Sequence, residues 1–79
     1  MTFPISTEQC AKLTSATMRQ LQWADENGVI SPVHVGRHRS YSKPEVLAVL
    51  LYVNLRSRGI GHKTKLVIAS FMRFDPYKD

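Results

Sequence analysis

Apolar and polar positions alternate along this chain with a spacing that changes from segment to segment, and each change marks an expected element. In Ile5-Ser6-Thr7-Glu8-Gln9-Cys10 the Ser6 hydroxyl can accept from the amide of Gln9 while the Gln9 side chain reaches back to the Ser6 amide, a capping box that starts a helix. Ile5 and Cys10 flank it at staple positions. This helix is expected to stop near Leu13, because Thr14-Ser15-Ala16-Thr17 sets competing hydroxyls in a row and offers a new cap at Thr14 or Ser15. From Thr17 to Asn27, Met18, Leu21 and Ala24 recur at every third residue, which predicts a second helix burying those three. Arg19, Gln20, Gln22 and Trp23 fall off that stripe, and Gly28 is a left-handed stop.

The period then shortens. Val33-His34-Val35 alternates like a strand, and Gly36-Arg37 can turn it back toward Arg39-Ser40-Tyr41, giving a small hairpin with a basic tip. Ser42-Lys43-Pro44-Glu45 is a second capping box and opens an apolar segment that ends at Arg56-Ser57-Arg58-Gly59. Its Val46–Val53 stretch is apolar nearly all round, so it is expected to be a central core helix contacted by the first, second and last helices, with any uncovered part, or the Ile68/Phe71/Phe74 side of the last segment, free to dock a neighbour. The expected division is one domain over 1–79: a helix-turn-helix over 5–27, a wing over 30–41, a core helix over 42–59, a last helix over 62–74 and a polar, frayed tail over 75–79. That order is the layout of a winged helix-turn-helix, a mainly α fold with a small β-hairpin wing.

Composition sharpens this without changing it. At 79 residues there is room for one core, and 43% hydrophobic content excludes a low-complexity tail. A formal charge of +5 favours an anionic partner, nucleic acid or an acidic membrane face. The single cysteine, Cys10, can form no intrachain disulfide and reads as a small buried hydrophobe, which makes a reducing cytoplasm the expected location. No apolar run approaches the roughly 20 residues that span a bilayer, and the start carries no export signal.

Candidate chemistry concentrates on anion binding. Arg37, Arg39 and Lys43 lie with His34 and His38 in a stretch without an acidic residue, suited to phosphates on either side of a groove. On the second helix Gln20 and Gln22 can read adenine edges and Arg19 guanine. Trp23 has two readings, a core or rim packer, or a contact residue that lays its ring on the hairpin and aims its N–H at a phosphate, and Tyr41 is expected to sit half buried beneath the hairpin with its hydroxyl outward. His34 and His38 are four apart, a spacing that serves a metal only if both share one face of the hairpin, and no metal or cofactor is expected. Asp25 and Glu26 diverge on a helix and there is no glycine-rich phosphate loop, so an enzyme is not expected.

Taken together, Arg19-Gln20-Leu21-Gln22-Trp23, Asp25, Gly28-Val29-Ile30-Ser31-Pro32, Gly36-x-x-Arg39-x-Tyr41-Ser42 and Leu55-Arg56-Ser57-Arg58-Gly59-Ile60 resemble the DNA-binding domain of the MerR family over Ile5 to Ile60. The resemblance implies a nucleoid-associated transcription regulator whose recognition helix and wing bind operator DNA as a two-fold dimer, distorting a promoter so that RNA polymerase can engage it. Carried over by position, Arg19, Gln22 and Trp23 fall on the recognition helix and Arg39 and Tyr41 on the wing, with Thr17, Gln20, Arg37, His38 and Lys43 alongside. Where the family has two aromatics in tandem this chain has Trp23-Ala24, and His38 stands beside the wing arginine. The family's dimerisation helix and effector domain have no counterpart here, so the 79 residues are expected to be an excised fragment or a minimal relative, monomeric until paired on DNA. The competing expectation is a protein-interaction adaptor on the same scaffold, gripping a polypeptide through Trp23 and the C-terminal segment.

Overall fold

A two-residue strand, β1 (Ile5–Ser6), begins the computed structural model, which describes residues 2–74. Ile5 and Ser6 pair with Tyr41 and Ser40, a strand absent from the expected elements, while Ile5 and Cys10, on either side of the capping box, both enter the core. The Ser6 capping box is present, with Gln9 N donating to Ser6 Oγ at 3.2 Å and Ser6 N donating to Gln9 Oε1 at 3.1 Å. It starts α1 (Thr7–Thr14), which stops at Ser15 in a left-handed conformation with φ 62°.

The cap of the next helix is Thr17, not Thr14 or Ser15. Thr14 is buried and spends its hydroxyl locally, donating to Cys10 O at 2.7 Å and accepting from Ala16 N at 3.3 Å. Thr17 Oγ1 accepts from Gln20 N at 3.0 Å and Thr17 N donates to Gln20 Oε1 at 2.9 Å, opening α2 (Met18–Glu26). Leu21 and Ala24 are buried as the spacing requires, whereas Met18 is 52% exposed because the first residue of α2 overhangs a cleft and not the core. Gly28, at φ 68°, ends the helix, and the amides of Val29 and Ile30 both donate to Ala24 O.

β2 (Val33–Val35) and β3 (His38–Tyr41) pair across a two-residue turn at Gly36-Arg37, where Gly36 supplies the positive φ that such a turn needs. The sheet is antiparallel in the order β1-β3-β2. Ser42 then donates through its amide and hydroxyl to Glu45 Oε1, at 2.8 and 2.9 Å, and α3 (Lys43–Ser57) follows. Val46, Ala48, Val49, Tyr52 and Leu55 are buried on it, Leu47, Leu51 and Val53 partly so, which is why it needs apolar residues nearly all round.

A 3₁₀ turn over Gly61–Lys63 leads into α4 (Thr64–Phe74), packed on α3. Ile68 is fully buried in the shared core and Phe71 packs against it, so these two are not free for docking; the side turned outward carries Leu66, 70% exposed, with Ala69 and Met72. The tail reading falls on 75–79, outside the described residues. Among the described residues the architecture is four helices with a small three-stranded sheet, in an order compatible with a winged helical fold, and no helix is long and apolar enough to cross a membrane.

Two buried acids give the core a pH dependence. Burial pushes the Cys10 thiol up to about 11 and the Tyr41 hydroxyl up to about 12. The folded state therefore holds both protons more tightly than the unfolded chain, so their contribution is complete below about pH 9 and is lost as pH rises through these values. Urea midpoints should be level from pH 7 to 8.5 and fall steadily above pH 9.5, with a shallower fall in Cys10→Ala. A midpoint that stays constant to pH 11 would contradict the burial of these groups.

Candidate nucleic-acid interface

At about 100° per residue, the side of α2 opposite Leu21 and Ala24 presents Gln22, Glu26, Arg19 and Trp23 in adjacent positions, and all four are exposed. The two ends of this arc are fixed by different chemistry.

On one side stands the β2–β3 hairpin. His34 and Arg39 are direct cross-strand partners, so both point to the same face of the sheet, the face that also carries buried Tyr41. There Asp25 receives them: Arg39 Nε donates to Asp25 Oδ2, and His34 Nε2 lies 2.8 Å from the same oxygen. Asp25 is mostly shielded from solvent, and its hydrogen bond holds the Arg39 guanidinium proton more tightly than usual. The carboxylate thus ties both strands of the hairpin to α2. Alternation puts His38 on the opposite face, with Val33, Val35 and Ser40, so the His34/His38 spacing builds no metal site. No group of His, Cys, Asp or Glu able to hold a metal ion occurs among the described residues.

On the other side Trp23, 45% exposed, stacks on buried Tyr52 of α3 with ring planes 8° apart and centroids at 6.1 Å. Arg56, one turn further along α3, lies 5.8 Å from the centre of the Tyr52 ring. The hairpin contact of the second reading of Trp23 is therefore replaced by one with α3, because its place on α2 turns it away from Asp25. Beside this stack a recess of about 390 Å³ is lined by Trp23, Arg56, His62, Thr64 and Lys65 among others, and the buried Thr64 Oγ1 has no hydrogen-bond partner.

The remaining candidates divide cleanly. Arg37 and His38 are exposed at the hairpin tip and Lys43 at the start of α3. Thr17 and Gln20 are joined in the capping box, which turns the Gln20 carbonyl back to the Thr17 amide and away from a two-point contact with adenine. Tyr41 is corrected outright: at 1% exposure its hydroxyl points inward, is buried and has no partner, so it contributes packing and no outward contact. Asp25, Tyr52 and Arg56 were not anticipated as parts of the site. The hairpin register was the available signal for Asp25, since a turn at Gly36-Arg37 sets His34 opposite Arg39 and two such donors on one face call for a carboxylate.

Of the four carboxylates in 2–74, Asp25 and Glu45 are consumed by internal hydrogen bonds, leaving Glu8 and Glu26 as exposed acids. Comparison with protein-family models finds no matching family, and comparison with curated proteins finds no match.

Asp25→Asn removes the charge from a partly buried, doubly donated carboxylate and should cost about 1–2 kcal/mol of stability. In a double-mutant cycle with Arg39→Gln the second substitution should cost much less than it does alone. Additive losses in urea denaturation would mean that the pair does not hold the hairpin.

Proposed function

We propose that this chain binds duplex DNA as a winged helix-turn-helix module of MerR type, with α2 in the major groove and the β2–β3 hairpin as a wing on the flanking backbone. The observation that carries the reading is the exposed arc of α2, bearing Arg19 and Gln22, with cationic groups on both sides: Arg37, beside His38, at the hairpin tip, and Arg56 and Lys65 beyond Trp23. An α-helix with its side chains is about 10–12 Å across, which fits a major groove roughly 12 Å wide.

The roles follow from what each side chain has left to offer. Gln22 keeps both carboxamide atoms available for an adenine edge, and Arg19 reaches guanine or a neighbouring phosphate. Gln20 is withdrawn from base reading by its cap, and Thr17 keeps a hydroxyl proton for the backbone. Arg39, with Nε committed to Asp25, turns its remaining N–H groups to a phosphate from a braced position. Trp23, braced on Tyr52, supplies a rigid apolar surface for a deoxyribose. In the regulator this implies, two such modules meet an operator with two-fold symmetry.

If about four phosphates are neutralised per chain, log K against log salt should slope at about −3.6 on duplex DNA. Arg37→Ala should weaken every duplex by a similar factor and flatten that slope by about 1. Gln22→Ala should instead lose about 1–3 kcal/mol of discrimination at one base pair while random-sequence affinity stays level. Fluorescence anisotropy across a salt series reads both. A flat salt dependence, or a Gln22→Ala loss spread evenly over all sequences, would overturn the assignment.

A further inference from the structure

A recess of about 530 Å³ lies between the first turn of α1, the start of α2 and the hairpin, next to the Gln22 edge of the exposed arc. Its volume is in the range of cavities that take a small organic ligand. Its walls differ in chemistry. The cross-strand pair Ser6 and Ser40 belongs to the sheet face turned away from Tyr41, and His38 lies two residues before Ser40 on that face. Arg37 adds a cation at the turn, and Thr7 a further hydroxyl, while Pro4 and the exposed Met18 form an apolar side. Glu8 is the one carboxylate on the rim.

We infer that this cleft binds a sugar-phosphate group, the phosphate against Arg37 and His38 with hydroxyl donors beside it and the sugar against Met18. Cations and hydroxyls together specify an oxyanion, since the guanidinium supplies charge and the hydroxyls supply directed donors. A bare inorganic anion would leave the apolar side unused, and a purely apolar ligand would strand the polar side. An exposed methionine at the first position of α2, where the helix period calls for a buried residue, is accounted for by a furanose ring packing on it. The same chemistry is offered by the deoxyribose-phosphate backbone of DNA, in which case the inference rests on the reading of the hairpin as a wing, and by a free nucleotide, in which case it goes beyond that reading.

Amide and methyl NMR of the full chain, titrated separately with 2′-deoxyadenosine 5′-monophosphate, inorganic phosphate and a random-sequence duplex, distinguishes these sources. The nucleotide should shift Thr7, Ser40 and the Met18 methyl saturably. The double variant Arg37→Ala/His38→Ala should weaken it by about tenfold, and Glu8→Gln, which removes a like charge, should tighten it by about threefold. Met18→Ser should weaken the nucleotide by about threefold and leave inorganic phosphate unchanged. Shifts in the cleft with both nucleotide and duplex support the inference with the backbone as occupant. Shifts with the nucleotide alone support it with a free ligand, and the absence of duplex shifts at Arg19 and Gln22 would then count against groove binding only. No saturable shift in the cleft with either probe, or shifts indifferent to Arg37, His38 and Glu8, overturns it even if the duplex still moves Arg19 and Gln22.

Discussion

A two-stranded hairpin is marginal in water by itself, and β2 and β3 acquire a fixed direction from two attachments. One is apolar: β3 pairs with β1 and sends Tyr41 into the core. The other is ionic, and it governs the geometry of the whole basic surface. A single oxygen of Asp25 meets Arg39 from β3 and His34 from β2, so the angle between hairpin and α2 depends on one carboxylate. The distance from Gln22 to the hairpin tip follows from that angle.

The opposite end of α2 is held by packing. Trp23 on Tyr52, with Arg56 over the Tyr52 ring, joins α2 to the central helix without any ion pair. The two constraints respond to different conditions: salt screens a partly exposed ion pair and leaves aromatic packing largely untouched. Raised ionic strength should therefore act on the hairpin before it acts on the helices.

Much of this was legible in the amino-acid order, and the exceptions have physical causes. The boxes at Ser6 and Ser42 were readable because a capping box is a local pattern, and so was the Gly36-Arg37 turn. β1 was not, because two residues carry no period and its pairing with β3 joins positions 5 and 41. The choice of Thr17 over Thr14 was hidden by four consecutive small residues, three of them hydroxylated, and it turned on which hydroxyl the core buried. For the site, the exposed positions Arg19, Gln22, Arg37 and His38 followed from helix and strand spacing. Tyr41 did not, since alternation names its face but only the packing of the core decides that its hydroxyl is buried. Asp25 was missed because its partners lie on the hairpin, distant in sequence, and Arg56 because the Trp23–Tyr52 stack that brings it beside α2 joins positions 23 and 52.

The central claim is that α2, framed by the hairpin on one side and the Trp23–Tyr52 stack on the other, reads duplex DNA. Selection from a random duplex library by the 79-residue chain tests it most directly. If α2 reads base pairs, a short motif several base pairs long is enriched, and one of its positions is lost on repeating the selection with Gln22→Ala. Recovery of unenriched sequence at every round, with wild type and variant indistinguishable, would contradict that claim.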